Sequence, residues 1–264
     1  MSIAIDIAGV SHTYQKGQQS LPVLNDLNIS IPAGKFTAVV GPSGCGKSTL
    51  TRLVAGLMFP DQGTVSLGGE PVKSPRSTVG MAFQNPVLLE WRTIIQNVVL
   101  PLEIIKSDMT YNNRLKHAAK LLELVGLKGF EHKRPSELSG GMRQRASLCR
   151  SIVHDPDVLI MDEPFGALDA FTREDLWQLM RDLRQKQSFT GLLITHDLRE
   201  SVFLADQVIV LSSRPATTQF VLDVDLPEDR KIDSLYTPKA VEMLATLREQ
   251  IEIAQGRNSD TEAA

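Results

Sequence analysis

With 264 residues and a formal net charge of −3, the chain has length for one large or two small domains, and its overall charge gives no sign of a nucleic-acid partner. Apolar residues make up 42% and charged residues 22%, the balance of an ordinary soluble globular protein. The longest uncharged run, 77–89, is too short and polar to span a bilayer, the start MSIAIDIAGV has no export signal, and two cysteines suggest a reducing compartment rather than a disulfide.

In chain order, Ile3, Ile5 and Ile7 alternate with small or polar residues, and LNISIPAG (27–34) alternates before a Pro/Gly turn, so residues 3–40 predict strands and turns. FTAVVG (36–41) reads as a buried strand leading through a glycine loop into a helix from Ser48 to about Leu57. GTVSLGGEPV (63–72) predicts a hairpin and STVGMAFQ (77–84) a further strand. From Val98 to Val153 the pattern is helical, with Leu115, Ala118, Leu122 and Val125 on one face. Then strands and helices alternate: VLIMD (158–162), helix 171–187, GLLIT (191–195), helix 198–205 and QVIVLS (207–212). That alternation predicts an α/β fold with a parallel sheet covered on both faces. Residues 239–254 carry apolar positions at alternating 4–3 spacing over two heptads, which predicts a helix packed on its own domain, and 256–264 read as a disordered tail.

Four strand ends carry chemistry. GPSGCGKST (Gly41, Pro42, Ser43, Gly44, Cys45, Gly46, Lys47, Ser48, Thr49) fits G-x-x-x-x-G-K-[ST] between a strand and a helix. Its glycines let backbone N–H groups curl around a phosphate, Lys47 supplies charge, and the Ser48 hydroxyl can ligate Mg²⁺. Cys45, at a helix N-terminus, is expected to have a lowered thiol pKa, to be more reactive than Cys149, and to inactivate the protein when alkylated. VLIMDEP brings Asp162 and Glu163 to a strand's C-terminal edge, Asp162 to hold Mg²⁺ and Glu163 to deprotonate or orient a water. GLLITHD delivers His196 to the same kind of edge, and Gln84 ends another strand with a carboxamide able to meet metal or water. LSGGMRQR (138–145) adds a second anion-directed turn, where Ser139, Gly140 and Gly141 offer a hydroxyl, N–H groups and a helix start.

These pieces in this order resemble the ATP-binding cassette of ABC transporters over about residues 3–225. The match covers Walker A at 41–49, the Q-loop at Gln84, the signature at 138–142, Walker B at 158–163, the D-loop GALD at 166–169 and the switch histidine His196. The resemblance implies a P-loop NTPase core with an antiparallel β subdomain and a helical subdomain inserted at about 86–154, followed by an extension at 226–264. It implies ATP and Mg²⁺ as cofactors, Tyr14 stacking on adenine, Glu163 and His196 acting in cis, and Ser139, Gly140 and Gly141 capping the partner's ATP in a head-to-tail dimer of cassettes. Asp169 of the D-loop is assigned to the same interface.

Met142 stands where the broad signature has glutamine, so Gln144 is expected to substitute across the interface, with Met142 joining an apolar stripe of Ala146, Cys149 and Val153. Gly166 departs from the usual D-loop serine. Both variants, with FQNPVLLEWRT and FGALDAFTRE, are similar to bacterial importers of the nitrate, sulfonate and taurine type. The resemblance therefore implies transmembrane permease subunits, an indirect solute-binding protein and a peripheral place on the cytoplasmic face of the inner membrane. Trp91 admits two readings, beside the permease groove or buried in the helical insert. The competing classes are ABC-type ATPases of DNA repair or translation. They need long coiled coils, zinc modules or two cassettes per chain, none of which the sequence contains.

Overall fold

The structure is a computed structural model that describes residues 2–17, 19–105, 107–166 and 168–256. The predicted disordered tail, beyond Gly256, lies outside the described residues. The chain forms two compact units, Ser77–Phe189, and Ser2–Arg76 with the segment that begins at Thr190.

In the second of these units, β1 (Ile5–Lys16) and β2 (Gln19–Ile31) make a long antiparallel ribbon, with Ile5 opposite Ile31 and Ile7 opposite Ile29. These isoleucines, with Val10 and Leu27, are at most 5% exposed, which is why the alternating pattern holds its register. Each such burial contributes about 1.5–3 kcal/mol. The chain continues into β3 (Phe36–Val40), buried along its whole length, and α1 (Lys47–Val54). That helix stops short of the expected Leu57 because Gly56 takes a left-handed φ of 71°. β4 (Gln62–Leu67) and the short β5 (Glu70–Pro71) complete an antiparallel sheet of order β2-β1-β4-β5.

The unit Ser77–Phe189 opens with β6 (Val79–Phe83), continues through α2 (Ile94–Ile104), α3 (Tyr111–Leu124) and α4 (Gly140–Ile152), and returns as β7 (Val158–Asp162) and α5 (Ala170–Lys186). β6 and β7 pair in parallel, Val79 opposite Val158 and Phe83 opposite Asp162. α2 packs against both α3 and α4. α4 lies very close to β6: a Cβ on Gly80 would stand 2.1 Å from the Ser151 carbonyl oxygen. The unit is wider than the predicted insert at 86–154, because β6, β7 and α5 group with the helices.

From Thr190 onward come β8 (Thr190–Ile194), α6 (Leu198–Leu204), β9 (Gln207–Leu211), β10 (Thr218–Asp223) and α7 (Pro238–Ala254). β3 pairs in parallel with β8 on one side and β9 on the other, and β10 adds antiparallel to β9. Buried parallel strands of this kind present their C-terminal ends as a ligand edge. α7 packs on α6, β9 and β10 of its own unit. Among the described residues, no helix is long and apolar enough to cross a membrane.

Candidate nucleotide site

The loop between β3 and α1 is wound around the Lys47 side chain. Its Nζ donates to the carbonyl oxygens of Gly41 and Pro42, each at 2.9 Å, and the residue is 8% exposed. Gly46 caps α1 at φ 119°, and a Cβ there would come within 2.7 Å of Val23 Cγ1 and 2.9 Å of Leu24 Cδ2. Backbone angle and space both require glycine at that position. A single lysine inside a curl of backbone before a helix N-terminus suits the phosphates of a nucleotide.

Tyr14 is tied to this loop. Its hydroxyl lies 3.2 Å from Thr49 Oγ1 and donates to Met58 Sδ at 3.4 Å, while its ring meets the His12 ring edge-on at 5.0 Å between centroids. An aromatic ring is thus fixed beside the P-loop helix.

Cys45 does not have the expected environment. It is 1% exposed, and burial raises its thiol pKa more than the neighbouring Lys47 charge and backbone N–H groups lower it. Cys149, fully buried, is pushed up strongly by the same cause. The helix N-terminus is therefore outweighed by desolvation, and the thiolate needed for alkylation is scarce at neutral pH. Maleimide at pH 7.5 is expected to label Cys45 in the folded chain at least about tenfold more slowly than an exposed thiol. Mass spectrometry of partly labelled protein checks this; labelling at the rate of a free thiol would contradict it.

In the same unit, β8 ends at Ile194 and hands on to an exposed His196. Thr195 Oγ1 accepts from Asp197 N at 3.0 Å and donates to Glu200 Oε2 at 3.1 Å, and Asp197 Oδ1 caps α6 through Arg199 N and Glu200 N. The backbone on both sides of His196 is therefore braced. These bracing residues were missed in the sequence, although D-x-x-E before an apolar run is a helix-start signal.

In the unit Ser77–Phe189, β7 is buried from Val158 to Met161 and reaches partial exposure at Asp162 and Glu163. Glu163 has a left-handed φ of 49°, an uncommon conformation for a non-glycine residue that the surroundings must hold. Because Phe83 is opposite Asp162, Gln84 leaves β6 next to the point where Glu163 leaves β7. The structure thus brings Gln84, Asp162 and Glu163 to one edge. Asp169 caps α5, accepting from Thr172 N at 3.0 Å, and its hydrogen bonds to Thr172 hold its carboxyl below the usual range. Among the described residues, no three His, Cys, Asp or Glu side chains form a metal cage.

The second turn is built as a helix start. Ser139 Oγ accepts from Met142 N at 3.3 Å, Arg143 Nη1 donates to Leu138 O at 2.7 Å, and Ser139 and Gly140 are exposed. A Cβ on Gly141 would lie 2.7 Å from Thr172 Cγ2, so α4 begins against α5 at a distance only glycine permits. Gln144 departs from its expected role across an interface. It is 5% exposed, and its Nε2 donates inward to Phe83 O at 3.3 Å and to Pro164 O. Helical rotation carries position 144 onto the buried face shared with Ser147, Leu148 and Ser151. Trp91 is 73% exposed, which excludes the buried reading.

A glycine-lined lysine loop between a buried strand and a helix, with acidic residues closing a parallel strand, defines a P-loop nucleotide hydrolase. The ABC transporter family profile matches residues 24–166. The chain is 42% identical over 235 residues to the nitrate import ATP-binding protein NrtD of Synechocystis, covering 89% of this chain and 86% of that protein. It is 43% identical over 211 residues to the taurine import ATP-binding protein TauB of Yersinia pestis, covering 80% of each. An ATP-binding cassette solved as a dimer in a post-hydrolysis state with ADP and Pi matches at a TM-score of 0.75 and 28% identity, covering 84% of this chain and all of that one. The chain belongs to the ABC transporter family, as one of its ATP-hydrolysing cassettes.

Proposed function

We propose that this chain is the ATPase subunit of an importer for a small oxyanionic solute of the nitrate, sulfonate or taurine type. In this reading it works as one of two cassettes on separate permease subunits, at the cytoplasmic face of a membrane. The observation that carries the reading is the loop between β3 and α1 curled around Lys47, whose Nζ donates to Gly41 O and Pro42 O, the kind of backbone curl that suits a polyphosphate. Homologues named for nitrate, aliphatic sulfonates and taurine support the solute class. The dimeric cassette of similar fold supports the pairing.

Lys47 and the N–H groups of 41–49 hold the β- and γ-phosphates, and Tyr14 stacks on the base. The Ser48 hydroxyl and Asp162 carboxylate are hard oxygen donors, which suit a Mg²⁺ that neutralises phosphate charge. Glu163 takes a proton from the attacking water, with His196 and Gln84 orienting it around the γ-phosphate. Ser139, Gly140 and Gly141 of one chain cap the nucleotide of the other, and Asp169 sets the turn beside them. Because half of each site comes from the second chain, hydrolysis requires pairing. In the Ser77–Phe189 unit, a groove of about 300 Å³ is lined by Val79, Met81, Phe83 and Ile104 together with Arg150 and His154, and it is assigned as the seat of a permease helix.

Reconstitution with candidate permease and solute-binding subunits of a nitrate, sulfonate or taurine importer tests the proposal. ATPase activity is expected to rise severalfold with one of nitrate, taurine or an alkanesulfonate. Stimulation by none of them, with turnover intact, rejects the solute class. Stimulation by DNA or ribosomes in place of membranes rejects the transport reading.

A further inference from the structure

We infer that Gln144 is a positioning residue for hydrolysis: its amide clasps the exits of β6 and β7 and so sets where Gln84 and Glu163 stand relative to the helix that begins at Ser139. The inference rests on the functional reading above.

One buried Nε2 donates to two carbonyl oxygens, Phe83 O at 3.3 Å and Pro164 O. Phe83 directly precedes Gln84, and Pro164 directly follows Glu163. The parallel ladder between these strands ends at the Phe83–Asp162 pair. Beyond that point, the amide of Gln144 fastens both exits to α4. The Pro164 residue is buried, so its carbonyl needs a donor from the protein.

The fastening matters most at Glu163, whose φ of 49° is held against the preference of its side chain. With Pro164 anchored on one side and the ladder on the other, the carboxylate leaves the strand in one direction. α4 is also the helix whose first turn, Ser139 to Gly141, is proposed to cap the partner's phosphate. A movement of α4 on capping would therefore be carried by Gln144 to the water-activating carboxylate and to Gln84.

The test uses the full chain with Mg-ATP. Gln144→Met keeps the length of the side chain and removes the donor. It is expected to lower kcat by about 30-fold, since misplacement of a reacting group by about 1 Å can cost about 100-fold. The KM for ATP should stay within about twofold, and ATP-dependent dimerisation should persist. In single turnovers on a Glu163→Gln background, adding Gln144→Met should change the residual rate by less than about twofold, because the carboxylate being positioned is gone. Gln144→Lys, which restores a donor at similar reach, should recover most of kcat.

Equal losses in kcat and ATP affinity, or full additivity with Glu163→Gln, would overturn the inference. If Gln144→Met does not fold, Gln144→Asn, with its amide one methylene short, should lower kcat at unchanged KM, and an unchanged kcat overturns the inference. A wild-type chain that binds ATP and pairs but never hydrolyses it sinks the functional reading and the inference together. Wild-type turnover equal to that of Gln144→Met sinks the inference alone.

Discussion

Glu163→Gln should lower kcat for ATP hydrolysis by about 10²–10³-fold while two chains still pair around ATP. The substitution keeps side-chain length and shape, so the left-handed backbone at φ 49° has no new strain to absorb. What it removes is the ability to accept a proton from water. The nucleotide-holding parts, Lys47 in its loop and the Ser139–Gly141 turn, are untouched by a change at the end of β7. Binding should therefore outlast catalysis, and the paired state should accumulate because its exit through hydrolysis is blocked. Light scattering with ATP and a phosphate-release assay measure both halves. Turnover within a factor of about three of wild type would exclude Glu163 as the base.

Lys47→Ala acts one step earlier and should abolish measurable ATP binding rather than turnover alone. The ammonium makes two bonds at 2.9 Å to Gly41 O and Pro42 O, which hold the loop curled. In the proposed site the same charge meets the phosphates. A hydrogen bond to a charged group is worth about 1.5–3 kcal/mol, so even one such contact corresponds to roughly 10–150-fold in dissociation constant. Loss of loop curvature adds to that figure. Titration calorimetry with ATP checks the result, and affinity within about threefold of wild type would remove Lys47 from its role.

The two predictions separate binding from chemistry along lines already visible in the sequence. The P-loop was legible because its glycines, lysine and serine sit between a buried apolar run and a helix, a context that local residues alone determine. Asp162 and Glu163 were legible for the same reason: four apolar residues fix β7, and the carboxylates must emerge at its end. His196 followed from a second such strand.

The environment of Cys45 escaped because it depends on residues far away in the chain. The helix N-terminus argues for a reactive Cys45, but enclosure to 1% exposure reverses the direction of its pKa shift, and no local pattern encodes that enclosure. Gln144 turns inward although the glutamine missing from the signature two positions earlier points to a role toward a partner. Its spacing of three, four and seven from Ser147, Leu148 and Ser151 marks a second buried face of α4 and points inward. Trp91 offered no pattern that distinguishes exposure from burial, and only the structure shows it exposed.

The left-handed backbone at Glu163 also limits how this enzyme's descendants can lose their activity. Drift at that codon is filtered first by conformation and only then by chemistry, since β-branched residues fit poorly at positive φ whereas Gly, Asn and Asp fit well. A gene copy released from selection for turnover but still selected to fold should therefore collect Gln, Asp, Asn or Gly at this position, and avoid Val, Ile and Thr. Some retired copies would then remain folded nucleotide-binding proteins, able to occupy a place beside an active cassette and set its pace without hydrolysing anything themselves.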